Sequence, residues 1–323
     1  MPHTPNRTFC VAPMIDWSDR HCRYFWRLLS KHAVVYSEMV TTHALIHGDR
    51  ERFLAFNKEE HPVALQLGGS APTDLAHCAK LGAERGFDEI NLNCGCPSDR
   101  VQSGMFGACL MAQPALVRDC MKAMLDAVDI PVTIKHRIGI DDMEDYAGLV
   151  DFVGTVAESG CEAFIVHARK AWLQGLSPKE NREIPPLKYE LVTQLKKDFP
   201  ELEIVINGGI TTLDQCQSLL DDVDGVMVGR EAYSNPYLLA QVDQQLYGDN
   251  YTPISREQAL EKFMAYVEKE ISAGTRLHHM SKHILGLFQG QPGARRFRRY
   301  ISENAYKENA GVEVLAQALE AMR

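Results

Sequence analysis

No stretch of this sequence is both long and apolar enough to cross a bilayer, which takes about 20 residues. The first residues, Met1 to Phe9, have neither the basic cluster nor the apolar run of a secretory leader. The nine cysteines are odd in number, run from Cys10 to Cys216 and include no CxxC pair. Cys94 and Cys96 stand too close for a zinc knuckle and nothing completes one, so no metal site is expected. Reduced thiols in a cytoplasmic protein are the expectation. Positive charge is not in excess either, since the formal net charge is −9, which argues against a generic nucleic-acid coat. No GxGxxG turn follows the first apolar run, which weakens the case for an open dinucleotide-binding sheet.

One absence is local. Between Ile271 and Ser302 there is no Asp or Glu, while Arg276, Lys282, Arg295, Arg296, Arg298 and Arg299 give the segment a formal charge of +6 and leave −15 on the rest. A small basic face on an acidic body suits one specific polyanion.

Short β-branched or apolar runs recur at even intervals: Thr8–Ala12, Val34–Val40, Val63–Leu67, Glu89–Asn93, Val132–Arg137, Ala163–Ala168, Ile204–Asn207 and Gly225–Val228. Several are apolar on both faces, as parallel strands covered by helices are. Helical patterns lie between them at Asp74–Arg85, Pro114–Val128, Met143–Ser159, Leu187–Lys197 and Thr212–Leu220. Eight such repeats predict a (β/α)8 TIM barrel. After Leu239 the strand signal stops and Tyr247–Pro253 is turn-rich. Ser255 and Gln258 then form a capping box ahead of Leu260, Phe263, Met264, Val267 and Ile271 at helical spacing. We expect a barrel domain over 1–246 and a small all-helical domain over 247–323.

Barrel enzymes keep their chemistry at the C-terminal strand ends, and there the sequence sets Gln66, Asn91, Asn93, Lys135, Arg137, His167, Arg169 and Asn207. So many polar groups at buried strand ends require a ligand, because unpaired buried polar groups are costly. Asn207-Gly208-Gly209 and Gly229-Arg230 follow the last two strands, where barrels commonly bind phosphate; glycine lets backbone N–H groups approach it. Lys135 and His167 would then face the other end of that ligand, as donors that stabilise a reduced isoalloxazine. FMN fits both ends.

The motifs Val11-Ala12-Pro13-Met14, Leu65-Gln66-Leu67-Gly68, Asn91-Leu92-Asn93-Cys94-Gly95-Cys96-Pro97, Ile134-Lys135-His136-Arg137-Ile138-Gly139 and Val166-His167-Ala168-Arg169, followed by Asn207-Gly208-Gly209-Ile210 and Gly229-Arg230, resemble in content and order those of the tRNA-dihydrouridine synthases. The likeness spans nearly the whole chain, and Ala171–Arg182 resembles the A-type subfamily, which acts on D-loop uridines 20 and 20a. The resemblance implies a flavin recharged by NADPH, hydride delivery to uracil C6, and Cys96 as the acid that protonates C5. A free thiol, with pKa about 8.5, holds its proton at neutral pH. It further implies that Pro13, Met14 and Ile15 border the flavin ring, that Gln66 meets its pyrimidine edge, that Asn93 touches the substrate nucleotide, and that Lys179 and Arg182 contact tRNA. Arg295 and Arg298, three apart and hence on one helical face, are the further tRNA contacts expected. Cys94, on the alternate face, reads as packing, and Asp16-Trp17 has no assigned role.

Three readings compete, of which a metal-dependent barrel hydrolase would need clustered His and carboxylates at strand ends that here carry amides and one His. A dihydroorotate-type enzyme acting on a free pyrimidine would share barrel and flavin but have no use for a basic helical domain. A non-redox tRNA-binding scaffold would have no need of intact polar strand ends. A monomer on tRNA is the simplest expectation, and without a dinucleotide fingerprint the nicotinamide is expected to enter through the same mouth as the uridine.

Overall fold

The computed structural model describes residues 4–98, 101–102, 104–143 and 145–323. Among the described residues nine strands form, all paired in parallel: β1 (Phe9–Val11), β2 (Val34–Tyr36), β3 (Val40–Thr41), β4 (Val63–Gly68), β5 (Glu89–Cys94), β6 (Val132–Arg137), β7 (Ala163–His167), β8 (Glu203–Asn207) and β9 (Gly225–Val228). Their order, β2-β1-β9-β8-β7-β6-β5-β4, closes on itself because β2 also pairs with β4, so eight strands make a barrel. The expected TIM barrel is the fold.

The second expected strand, Val34–Val40, is broken in two by Ser37. Its amide still pairs with the Ala64 carbonyl at 2.8 Å, but its hydroxyl accepts from the Gln66 amide at 2.9 Å where a strand carbonyl would stand. The chain turns there, and three residues later β3 rejoins only the outer end of β4.

Alternation divides the barrel strands into two sets. Outward residues such as Leu65, Leu67, Ile90, Ile134, Phe164, Ile204 and Val226 are buried against the surrounding helices. Each such side chain contributes about 1.5–3 kcal/mol when fully buried. Inward residues Cys10, Val34, Tyr36, Ala64, Ile165, Val205 and Met227 fill one side of the barrel. On β4, β5 and β6 the buried set also holds the polar Gln66, Glu89, Asn91, Asn93 and Thr133.

The covering helices include Pro72–Arg85, Pro114–Leu125, Asp145–Ala157, Tyr189–Asp198 and Leu213–Leu220. Local chemistry sets their ends: proline opens the first two, Gly86 closes the first in the left-handed region (φ 100°), and Thr212 with Gln215 caps the last. Glu144, inside one expected helix, and Met1–His3 of the N-terminal stretch read above lie outside the described residues.

Past the last barrel helix, Val242–Tyr247, the longer helices are Arg256–Ser272 and Ala294–Asn304. Ser255 and Gln258 do form the capping box. This helical segment packs on the helix Arg20–Leu29 that follows β1. Tyr24 stacks on Tyr266 at 3.9 Å between ring centroids, Phe25 meets Phe263 edge-on at 5.2 Å, and Arg20 pairs with Glu270. Lys282 Nζ donates to the Asp16 carbonyl at 3.1 Å, and His283 Nε2 lies 2.9 Å from Asp19, the N-cap of that helix. No helix among the described residues is long and apolar enough to cross a membrane.

Candidate active site

The C-terminal strand ends surround a cavity of about 740 Å³. Its wall draws on loops from around the barrel: Pro13, Met14 and Ile15 after β1, Gln66 on β4, Asn93 and Cys96 on and after β5, and Lys135 and Arg137 on β6. His167 ends β7, Arg182 comes from the long loop behind it, Asn207, Gly208 and Gly209 follow β8, and Gly229 and Arg230 follow β9. The fold thus gathers every cofactor residue expected from the sequence, together with Cys96 and Asn93. Arg182, expected to contact tRNA, is also part of this wall. Lys179 is exposed outside it, and Arg295 and Arg298 lie on the helix Ala294–Asn304 in the helical segment.

Gly208 and Gly209 are needed by the backbone itself. Their φ values are +122° and +69°, and a Cβ on Gly208 would stand 2.7 Å from His167 Cδ2. Asn207 holds the turn from inside, donating from Nδ2 to the Met227 carbonyl at 2.7 Å and accepting from Lys135 Nζ at 3.0 Å. Behind the turn, Thr212 starts the helix Leu213–Leu220.

The cavity is electropositive and short of counter-charge. Burial, and then Arg137, lower Lys135 to about 7. Burial also lowers Arg137 to about 10 and, with the cations around it, holds His167 well below its ordinary value, so its imidazole is neutral at neutral pH. Arg169 and Arg182 are lowered as well, by burial first and by Arg230 after. Arg230 has a carboxylate partner, 2.7 Å away in Glu183. Cationic donors left so poorly compensated, beside a glycine turn a side chain would obstruct, fit an anionic, phosphorylated ligand.

Cys96 sits where β5 leaves the barrel. Asn93 Oδ1 accepts from the amides of Gly95 at 3.1 Å and Cys96 at 3.0 Å. Arg137 donates from Nε to the Gly95 carbonyl at 2.8 Å, and from Nη1 to the carbonyls of Lys170 and Asn181 at 3.0 Å. The thiol is half-buried, opens on the cavity and lies 3.6 Å from Ser98 Oγ. Cys94, two residues earlier, is fully buried on the outer face among helix side chains.

Sequence reading missed several contributors. Arg137 was noted as a strand-end cation, but nothing in the chain announces that it ties the Cys96 loop to the loop after β7. Asn181 is wholly buried and organises that second loop, accepting from the Trp172 amide at 2.8 Å and donating to the carbonyls of Trp172 and Leu176. Trp17, left without a role, lines the cavity and stacks on Tyr233 with centroids 4.3 Å apart. Among the described residues, His32, Asp243 and Asp249 have metal-like spacing. The Asp243 oxygens already accept from Ser30 Oγ, the Lys31 amide and Tyr251 OH, which makes it a turn anchor.

The profile of the family described as "Dihydrouridine synthase (Dus)" matches residues 10–323. The chain is similar to a Shewanella oneidensis protein named tRNA-dihydrouridine(20/20a) synthase, 61% identical over 98% of this chain and 95% of that one. A Vibrio cholerae protein of the same name is 63% identical over 96% of this chain and 94% of its own. Among solved structures, the old yellow enzyme homologue from Zymomonas mobilis superposes with a TM-score of 0.54 at 11% identity, covering 78% of this chain and 92% of that one, a likeness of fold. On motif order, cavity and near full-length identity, the chain belongs to the dihydrouridine synthase family.

Proposed function

We propose that this protein is an FMN-dependent tRNA-dihydrouridine synthase that reduces the C5=C6 bond of D-loop uridines 20 and 20a. The observation that carries the reading is the meeting of Cys96 with Lys135, His167 and the Gly208-Gly209 turn on one electropositive cavity. The names of relatives at 61% and 63% identity support the same reaction. FMN, when bound and reduced by NADPH, supplies the hydride for uracil C6. Asn207, Gly208, Gly209, Gly229 and Arg230 hold its phosphate, while Lys135 and His167 offer donors to the ring and Gln66, with Pro13, Met14 and Ile15, borders it. Lys135 is the tunable group, since a negative charge placed beside it restores the proton that burial weakens.

Cys96 Sγ gives its proton to C5 as C6 becomes saturated, so the double bond gains one hydride and one proton. Asn93 and Arg137 keep the thiol on the cavity. A uridine must leave its stack to enter, at a cost of a few kcal/mol; contacts from Lys179, Arg182, Arg295 and Arg298 to the tRNA backbone offset it. In this reading residues 1–246 carry the chemistry and 247–323 grip the tRNA. The protein works as a cytoplasmic monomer, and the nicotinamide enters by the same mouth in alternate turns.

The test is direct. The purified protein should show a flavin spectrum, and after reduction by NADPH it should be reoxidised by unmodified tRNA but not by free uridine. A protein that neither carries nor takes up FMN ends the redox reading. A flavoprotein indifferent to tRNA and responsive to a free pyrimidine would transfer the assignment to that smaller substrate.

A further inference from the structure

The polar residues inside the barrel form one continuous hydrogen-bond chain from its floor to Cys96. At the floor Glu89, fully buried, pairs with Arg7 at 2.7 Å and accepts from Thr133 Oγ1 at 2.5 Å. Thr133 Oγ1 accepts from Asn91 Nδ2 at 2.8 Å, and Asn91 Oδ1 accepts from Gln66 Nε2 at 2.8 Å. Gln66 Oε1 accepts from Asn93 Nδ2 at 2.9 Å, and Asn93 Oδ1 accepts from the amides of Gly95 and Cys96. Glu89, Asn91 and Asn93 alternate along β5 and so share one face, while Gln66 and Thr133 sit opposite Asn91 on the neighbouring strands.

The chain has a direction. At the mouth its terminus is two backbone N–H groups, which only donate. At the floor it is a carboxylate held by a guanidinium, which only accepts. A side-chain amide has two faces of similar shape, and turning one over sets donor against donor. With both termini fixed, no amide between them can turn without leaving buried groups unpaired, which is costly. The Asn93 oxygen is therefore kept under the Cys96 loop by residues that never reach it.

We infer that Glu89, Thr133 and Asn91 are positioning residues for Cys96, acting through the amides of Gln66 and Asn93. The inference rests on Cys96 as the proton donor proposed above, but its first readout needs no turnover. Thr133→Val keeps the volume and removes the hydroxyl that links Asn91 to Glu89; Thr133→Ser restores it. Tyr36→Phe is the control, because Tyr36 OH also donates to Glu89, at 2.7 Å, yet lies outside the chain.

In the flavin-loaded proteins, hydrogen exchange at the Gly95 and Cys96 amides should quicken by about tenfold in Thr133→Val, the scale of one lost hydrogen bond. It should stay at the wild-type rate in Thr133→Ser and Tyr36→Phe, even where Tyr36→Phe lowers the melting temperature as much as Thr133→Val does. On tRNA, Thr133→Val should lose about tenfold in kcat with KM within twofold, the mark of a lost transition-state contact. Unchanged exchange in Thr133→Val, or equal quickening in Thr133→Val and Tyr36→Phe, would overturn the inference. If the wild-type protein leaves tRNA untouched, the proposed reaction fails while the exchange comparison still decides whether the floor positions Cys96.

Discussion

Two groups of cations in this molecule carry the same formal charge and stand in opposite circumstances. Around the barrel mouth Lys135, Arg137, Arg169 and Arg182 are all lowered, by burial first and then by a neighbouring cation, which for Arg169 and Arg182 is Arg230. On the helix Ala294–Asn304, Arg299 reaches Glu303 at 2.6 Å, Arg298 reaches Gln289 at 3.2 Å and Arg296 reaches the Met322 carbonyl, all near solvent. The hydrogen bond to Glu303 even raises Arg299. The lesson is about what a charge is waiting for. A cation that stays buried without an acid is held at a cost that an anion repays, so it marks a site for a specific ligand. A cation at the surface with partners in hand exchanges them at little cost, so it serves a polyanion by number and salt rather than by geometry.

Changes at the mouth should therefore cost chemistry and cofactor, and changes on the helix only tRNA affinity. The largest effect is expected for Cys96→Ala, with dihydrouridine formation down by about 10²–10⁴-fold, the range for a general acid, and an unaltered flavin spectrum measured beside it. Next is Lys135→Met, which should weaken FMN binding by tens of fold, about what one lost charge-assisted hydrogen bond supplies, in a titration at pH 7.

The same residue gives a pH signature. Lys135 is lowered to about 7 from 10.5. Between those values the unfolded chain binds more protons there than the folded one, so this group's contribution to stability rises with pH. Its penalty is fully present below 7 and gone above 10.5. In melting curves of the flavin-free protein, Lys135→Met should be favoured over wild type at pH 6 and lose that advantage by pH 10. Equal curves would mean Lys135 finds compensation that the cavity does not display.

Gly208→Ala should cost about 1–3 kcal/mol from its positive φ alone, read as a lower melting temperature with weaker FMN retention. Smaller still, Arg295→Ala with Arg298→Ala should raise KM for tRNA by about three- to tenfold and flatten its salt dependence by up to about two in slope. FMN affinity should hold. Smallest is Arg299→Ala, within about twofold in every assay, as expected of an exposed ion pair. A larger effect of Arg299 than of Lys135 would break the division between waiting and partnered cations.

The barrel was readable because its units repeat: strands covered by helices must be apolar, as at Leu65, Ile134 and Ile204, and eight short apolar runs at even intervals with helical patterns between them are visible in a bare chain. The strand-end residues were readable because Gln66, Asn93, Lys135 and His167 are out of character for buried positions. The turn at Ser37 was not, since a serine hydroxyl standing in for a carbonyl leaves no mark in hydropathy. Nor was the role of Asn181, whose side chain bonds the backbone of its own loop, or of Arg137, whose partners are backbone carbonyls far along the chain; backbone partners leave no side-chain signature. Arg182 was named only through the family resemblance, because acidic neighbours such as Glu183 make it look like ordinary surface; the fold of the loop after β7 turns it to the cavity.

The contact between the helical segment and the helix after β1 has a consequence for how such proteins diversify. Tyr266 and Phe263 lie on Tyr24 and Phe25, Glu270 on Arg20, and Lys282 on the very loop that contributes Pro13, Met14 and Ile15 to the cavity. The segment is therefore not a cassette that recombination can exchange at residue 247. A transplanted version would arrive without its bed of aromatic and charged partners and would leave Phe25 uncovered. Changes confined to the outer surface of this segment leave that packing intact, whereas changes on its inner surface call for matching ones on the helix Arg20–Leu29.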